Sequence, residues 1–391
     1  MDVMTEKKLV PKLRFREFQD DWEKNKLADV ATFYNSKRVA LTASDREKGE
    51  YPYYGASGII DYVKDFIFEG EYILLGEDGA NIVMRNSRLV FLAKGKFWLN
   101  NHAHIFQSKD SNTFLCEALE RINYTKYNSG TAQPKLNSDV VKKIQLHLPS
   151  FPEQQKIASF LSAVDKKLQK LSKKKELLEE YKKGVMQKIF SQELRFKDDN
   201  ENNYPDWEEK KLGEVCEVTV GGTPSTTKKE YWNGDIGWIS SGGLNNGNVT
   251  HPSKLITKLG LDNSSAKMMP ENTVMLAMTG ATLGKIGYLK FNSSANQSVA
   301  GFLPDETYNS KYLFYTLQQG INQVFKYSGG AAQQGINKQS ILNLKYGFPC
   351  IDEQYKIANF LSSLDSKIDL VSRKTENTKA FKKGLLQQMF V

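Results

Sequence analysis

Apolar residues recur every three or four positions along two stretches of the chain. From 153 to 190 the stripe is Ile157, Leu161, Val164, Leu168, Leu171, Leu178, Val185 and Ile189, with Lys175 and Lys182 at two stripe positions. From 353 to 390 it is Ile357, Leu361, Leu364, Ile368, Val371, Leu385 and Met389, with Thr375, Thr378 and Lys382 as polar gaps. A 4-3 spacing returns every ~3.5 residues, which is a coiled-coil seam. Neither stretch contains proline, and Pro152 and Pro349 stand just before them. Each predicts a helix of about 38 residues, roughly 57 Å long. Such a helix cannot bury its stripe alone. The second stretch repeats the first, from Glu153-Gln154-Gln155-Lys156-Ile157-Ala158 to Glu353-Gln354-Tyr355-Lys356-Ile357-Ala358, without a gap. The duplicate is therefore the expected partner, and the polar stretch 375–378 is where the seam is expected to loosen.

Outside these helices the pattern shortens to strands and turns. Runs at 72–75, 82–84 and 89–92 read as strands, separated by turn material at 55–58, 77–79 and 94–96. Asn112 to Asn123 reads as a short helix. Further on, 274–278 reads as a buried strand, 280–287 as a glycine-rich turn region and 310–326 as a helix. The expected organisation is a globular unit at 1–150, a long helix at 151–192, a second globular unit at 193–349 and a long helix at 350–391. This is an α+β chain: two mixed α/β units separated by two long antiparallel coiled-coil helices. The entry signature Leu13-Arg14-Phe15 with Trp22-Glu23 returns as Leu194-Arg195-Phe196 with Trp207-Glu208. The order reads as a circular repeat, with the termini expected close together and a pseudo-twofold relation between the halves.

The two globular units share a skeleton. Residues 72–80 parallel 273–281, Asn101-His102 parallels Asn296-Gln297, and 129–133 parallels 329–333. Residues 36–62 and 221–261 share little. A common frame is thus expected to carry two different surfaces.

Composition narrows the function. The chain has 391 residues, 40% hydrophobic and 11% aromatic, enough for two or three cored domains. No apolar run is long enough to span a membrane, and the first residues lack a signal-peptide core. Cys116, Cys216 and Cys350 are odd in number and far apart, which suits a reducing cytoplasm. A net charge of +9 favours a polyanionic partner, nucleic acid first.

Catalytic patterns do not hold together. Gly280 to Lys285 has too few residues between its glycines for a P-loop, and Ile286 stands where a hydroxyl should meet Mg²⁺. His102-Ala103-His104 lacks a third ligand, so hydrogen bonding is the expected role, and no metal is expected. Glu69, Glu71, Glu77 and Asp78 read as a solvated loop rather than a nuclease cluster. No Asn/Asp-Pro-Pro-aromatic motif is present, so the chain is not expected to methylate a base itself.

What remains is a binder's repertoire. Lys37, Arg38, Arg85, Arg88, Lys135, Lys228, Lys229 and Lys285 are candidates to neutralise phosphates. Asn101, His102, Gln133, Asn296, Gln297, Gln333 and Gln334 are candidates for base edges, since Asn and Gln can bond adenine at two points. Tyr54, Ser57, Thr131, Thr223, Ser225, Trp238, Ser240, Ser241 and Thr282 complete the candidate surface.

Taken together, the chain resembles the specificity subunits of type I restriction-modification systems. The resemblance rests on Pro-Glu-Gln-Gln-Lys-Ile-Ala-X-Phe-Leu-Ser at 152–162 and its copy, on the Trp-Glu entries, on Ser129-Gly130-Thr131-Ala132-Gln133, on 53–60, and on Asn100-Asn101-His102-Ala103-His104. It implies two target recognition domains, each reading one half of a split, asymmetric site in double-stranded DNA. It implies that the helices set the gap and dock two methyltransferase subunits, and that two restriction/translocase subunits complete the complex. S-adenosylmethionine, ATP and Mg²⁺ are then expected on those partners, with no cofactor on this chain. Under the same resemblance the flanks bearing Lys166, Lys167, Lys170, Glu176, Glu179 and Glu180 are expected to dock the catalytic subunits.

Overall fold

The computed structural model describes residues 10–130, 133–329 and 334–391. The chain divides into two compact units, Met1–Ser172 with Arg373–Val391, and Lys173–Ser372. Each unit combines a globular part with the start of one long helix and the end of the other. Those helices span Phe151–Phe190 and Ile351–Gln388.

In the first unit, a six-stranded sheet runs Ala31–Phe33, Ala103–Ser108, Phe68–Gly76, Val90–Leu99, Lys48–Gly55, Gly58–Val63. All neighbours are antiparallel except Lys48–Gly55 against Val90–Leu99. Helix Asn112–Glu120, capped by Ser111, buries Phe114, Leu115 and Leu119. A two-stranded ladder, Glu23–Lys26 with Gln145–Leu148, leads into the first long helix. In the second unit the frame returns: Val218–Val220, Val299–Phe302 and Val274–Ala277 pair antiparallel, and Glu208–Lys211 pairs with Lys345–Phe348. A separate four-stranded sheet, Lys254–Ile256, Trp232–Ile239, Ser293–Ala295, Met268–Met269, echoes the first unit's Lys48–Gly55 and Gly58–Val63 hairpin: Trp238 and Ile239 pair parallel to Ser294 and Ala295 as Tyr53 and Tyr54 pair parallel to Trp98 and Leu99. Its strands Trp232–Ile239 and Lys254–Ile256 lie in the region where the sequences share little.

The long helices pair antiparallel within each unit. In the first, Ile157, Leu161 and Val164 share a core with Leu385 and Met389. In the second, Val185 and Ile189 share one with Ile357, Leu361 and Leu364. The polar stripe positions are filled in a repeating way. Lys382 Nζ donates to Asp165 at 2.7 and 2.9 Å, and Lys182 Nζ donates to Asp365 at 2.5 Å. Each lysine side chain is 16% exposed, so the aliphatic stem covers the seam while the charge is paired. Leu168, Leu171, Leu178 and Ile368 are half-buried, and Val371 is buried.

Four expectations about elements are corrected. The seam does not loosen at 375–378: Thr375 and Thr378 are both 7% exposed. Thr378 Oγ1 donates to Lys374 O at 2.7 Å, so the buried hydroxyl is satisfied by its own helix. Residues 82–84 belong to a helical turn, Asn81–Met84, because Gly79 before it and Arg85 after it both take positive φ. Residues 94–96 lie inside strand Val90–Leu99: Gly95 pairs with Gly70, both at positive φ, so the ladder bends there without ending. The helix expected over 310–326 breaks into Ser310–Gln319 and Asn322–Lys326. At Gly320 a Cβ would come within 2.3 Å of the Tyr346 ring, so the chain turns where only glycine fits.

Candidate nucleic-acid interface

The candidate residues gather at equivalent loops of the two units. In the first unit, the turn after Phe68–Gly76 carries Glu77, Asp78 and Gly79. Backbone bonds tie it to two other segments: Glu77 N to His102 O (2.9 Å), Gly79 N to Pro134 O (3.0 Å) and Leu136 N to Glu77 O (2.7 Å). The second unit repeats this with Met278 N to Ser298 O (2.8 Å), Gly280 N to Gln334 O (3.0 Å) and Ile336 N to Met278 O (2.9 Å). Gly79 and Gly280 both need positive φ (103° and 65°), which keeps glycine at this point of both copies.

The register corrects one expected parallel. Gly76 pairs with Ala103, and Ala277 pairs with Val299. Asn100 therefore matches Asn296, Asn101 matches Gln297 and His102 matches Ser298. The side chains agree, since Asn100 Oδ1 accepts from His102 N (2.8 Å) and Asn296 Oδ1 from Ser298 N (3.2 Å). In the sequence either alignment places one Asn on another. Only strand pairing decides between them, and a one-residue slip changes which residues face out.

On this shared skeleton the chemistry differs. The first unit holds a charged network. Glu77 accepts from Arg38 at 2.6 Å and lies 3.5 Å from Lys135 and 3.7 Å from His104. At 13% side-chain exposure Glu77 is no part of a solvated loop, which corrects that expectation. Burial alone would raise its pKa, but the Arg38 hydrogen bond and the charges of Arg38 and Lys135 bring it below the usual value. Asp78 Oδ2 meets His102 Nδ1 at 2.8 Å and orients that exposed ring. His104 is fully buried. Its Nε2 donates to Leu136 O (2.7 Å) and its Nδ1 accepts from Asn35 Nδ2 (3.0 Å), the arrangement of a neutral imidazole. Burial holds its pKa below the ordinary value. Asn101, His102, Gln133 and Lys135 stand exposed above this network. Ser57 is exposed in the neighbouring turn, and Lys37 is exposed with Nζ 5.5 Å from the Tyr34 ring.

In the second unit the same positions are neutral. Thr223 Oγ1 donates to Gln297 Oε1 at 2.6 Å, Thr282 Oγ1 bonds Thr279 O at 3.2 Å, and Ser240 Oγ bonds Ser253 Oγ at 3.2 Å. Ser241 opens the turn after Ser240, and Gln297, Gln334 and Lys285 are exposed. Ser225 is exposed beside Thr227 (2.9 Å). Lys228 pairs with the Tyr231 hydroxyl at 3.0 Å.

Several candidates are engaged inside the protein instead. Arg38 spends its guanidinium on Glu77, Ala103 O and Asn35 O. Arg85 binds Glu120 (2.7 Å) and Arg88 binds Glu117 (2.9 Å), both on the helix behind the sheet. Trp238 is a core residue, 7% exposed, with Nε1 donating to Gly222 O (3.0 Å). Tyr54 is half-buried between Phe91 and Phe97. Thr131 and Gln333 lie outside the described residues. Asn35 was not singled out from the sequence, and Asn100 and Ser298 stood in quoted stretches without being named as candidates, because their roles depend on the register.

Both depressed groups predict acid sensitivity in the first unit. Each has a folded pKa below its unfolded value, so its contribution is complete above the unfolded pKa and is lost as pH falls through the folded one. His104 acts first, below about pH 6.5, and Glu77 follows below about pH 4.5. The matching positions in the second unit are Ala300 and Met278. Hydrogen exchange between pH 7 and 5 should show protection falling around Leu75 and Leu136 before Leu276 and Ile336, and His104→Asn should remove the difference.

Comparisons with known proteins agree with this architecture. A family model described as "Type I restriction modification DNA specificity domain" matches residues 19–180 and again 204–379. The type I restriction enzyme MjaVIII specificity subunit of Methanocaldococcus jannaschii is 24% identical over 395 residues, 94% of this chain and 91% of that one. The MjaIX specificity subunit of the same organism is 30% identical over 207 residues, 51% of this chain, and the chain spans only 46% of that relative's length. Among solved structures, a type I restriction-modification S subunit from M. genitalium matches with a TM-score of 0.66 at 17% identity, covering 98% of this chain and 99% of that one. At that identity the likeness speaks for the fold.

Proposed function

The chain belongs to the type I restriction-modification DNA specificity family, and we propose that it is the non-catalytic DNA-recognition subunit of such a complex. Each unit reads one half of a split, asymmetric site. The observation that carries this is the pair of equivalent loop clusters with unlike chemistry: charged around Glu77, Asp78 and His102, neutral around Met278, Thr279 and Ser298. Two half-sites read by one frame with different side chains differ in sequence. The net charge of +9 supplies the attraction to phosphates.

In this reading residues 1–150 and 193–349 are the readers, and 151–192 and 350–391 are the spacer. The spacer docks two methyltransferase subunits, and two restriction/translocase subunits complete the assembly. S-adenosylmethionine, ATP and Mg²⁺ belong to those partners, and the complex works in the cytoplasm. Among the described residues no helix is long and apolar enough to cross a membrane. The helices support docking at a repeated position. Tyr181 and Phe381 are 53% and 54% exposed. One turn on, Gly184 and Gly384 sit inside a helix, and a Cβ at either would meet nothing within 4 Å. Glycine there costs about 1 kcal/mol relative to alanine with no return inside this chain, which fits close approach of another chain beside an aromatic anchor.

The ruler is testable. Four residues inserted near Lys174 and again near Lys374 lengthen the antiparallel pair by one turn, about 6 Å. The gap between methylated half-sites should grow by about two base pairs, with both half-site sequences kept. An unchanged gap would exclude the helices as spacer.

A further inference from the structure

The Leu-Arg-Phe signatures and the first glutamates of the long helices form one joint in each unit. In the first, Arg14 grips Glu153 with Nε and a terminal nitrogen at 2.8 and 2.7 Å. Glu153 is 0% exposed in the first turn of its helix. Beside it, the Phe15 ring meets Phe160 edge-on at 5.9 Å. Leu13 N donates to Gln388 O at 2.9 Å, at the end of the second helix. The segment therefore straps the start of one helix to the end of the other and to its own globular part. The second unit repeats every element: Arg195 on Glu353 at 3.2 and 2.7 Å, Phe196 on Phe360 at 5.6 Å, and Leu194 N on Lys188 O at 3.0 Å.

Among the described residues neither joint shares a hydrogen bond or ion pair with the loop clusters that carry the reading residues, so base recognition gives no reason for a fully buried charge at this place. A planar fork on a carboxylate is directional, and it stands where the helix leaves the globular part. We infer that the Arg14–Glu153 and Arg195–Glu353 straps are positioning devices. They fix the direction in which each reader is held on the spacer, and through it the single gap at which both half-sites are bound. This rests on the proposed split-site reading and adds residues to it.

The joints are unequal. Trp207 Nε1 also donates to Glu353 at 3.1 Å, whereas Trp22 Nε1 in the first unit is buried with no partner among the described residues. Among the described residues the first strap is held by fewer bonds and is the one to loosen.

The test uses the full chain with its methyltransferase partner and maps methylated sites. Arg14→Met combined with Glu153→Leu replaces the pair by apolar groups and leaves no buried charge behind. Both half-site sequences should stay as in the wild type, while sites one base pair longer or shorter rise roughly tenfold, the factor for losing one charge-assisted hydrogen bond. Arg14→Lys, which keeps the charge without the fork, should give a smaller rise. It carries the test by the same readout if the double variant does not assemble. A purely structural role would lower total methylation at one unchanged gap, and that result overturns the inference. A wild type that marks no split site would instead overturn the proposed function.

Discussion

Replacing residues 24–150 with the corresponding unit of another family member changes one half of the methylated site and leaves the other half as it was. The effect is large, because each altered base pair in a site costs about 1–3 kcal/mol, and several changed positions abolish binding to the old half. The expectation follows from compactness. Glu77 draws its partners Arg38, His104 and Lys135 and Asp78 its partner His102 from within that segment, and the Gln297 cluster draws Thr223 from the other. Sequencing of methylated DNA reads both halves at once. A change in both, or in neither, contradicts two independent readers.

Leu361→Ala should be the most damaging single change in the seam. The side chain is 0% exposed and shares a core with Val185, Ile189 and Ile357. Truncating a buried leucine costs about 2–5 kcal/mol. Leu168, half-buried at the same kind of stripe position, should cost about 1 kcal/mol or less on truncation. Hydrogen exchange of the helix amides around each position, Leu361 in the second unit and Leu168 in the first, is the suitable measurement, since a two-unit chain does not unfold as a single two-state system. Equal losses at the two positions would mean that the stripe, and not its tight ends, bears the load.

The contrast shows what periodicity reports. The helices and their antiparallel partnership were legible, because a 4-3 stripe survives any local detail. Its polar members were misjudged. Lys182 and Lys382 look like interruptions until Asp365 and Asp165 are placed opposite them, and Thr378 looks like a loosening until its bond to Lys374 is seen. The loops were found by composition and duplication, but their inner order was not. Arg38, Arg85 and Trp238 read as surface groups because residue type carries no record of Glu77, Glu120 or Gly222 nearby. Asn100 was displaced by one position because strand register is set across the sheet. Arg14 and Glu153 were both visible as repeated letters, yet 139 positions separate the two halves of that bond.

The central claim is that one frame carries two unlike readers at a fixed separation. Single-molecule methylome sequencing of cells expressing this chain with its methyltransferase partner tests it most directly. The expected result is an asymmetric two-part motif with one constant gap. A continuous or palindromic motif, or methylation without sequence preference, would contradict it.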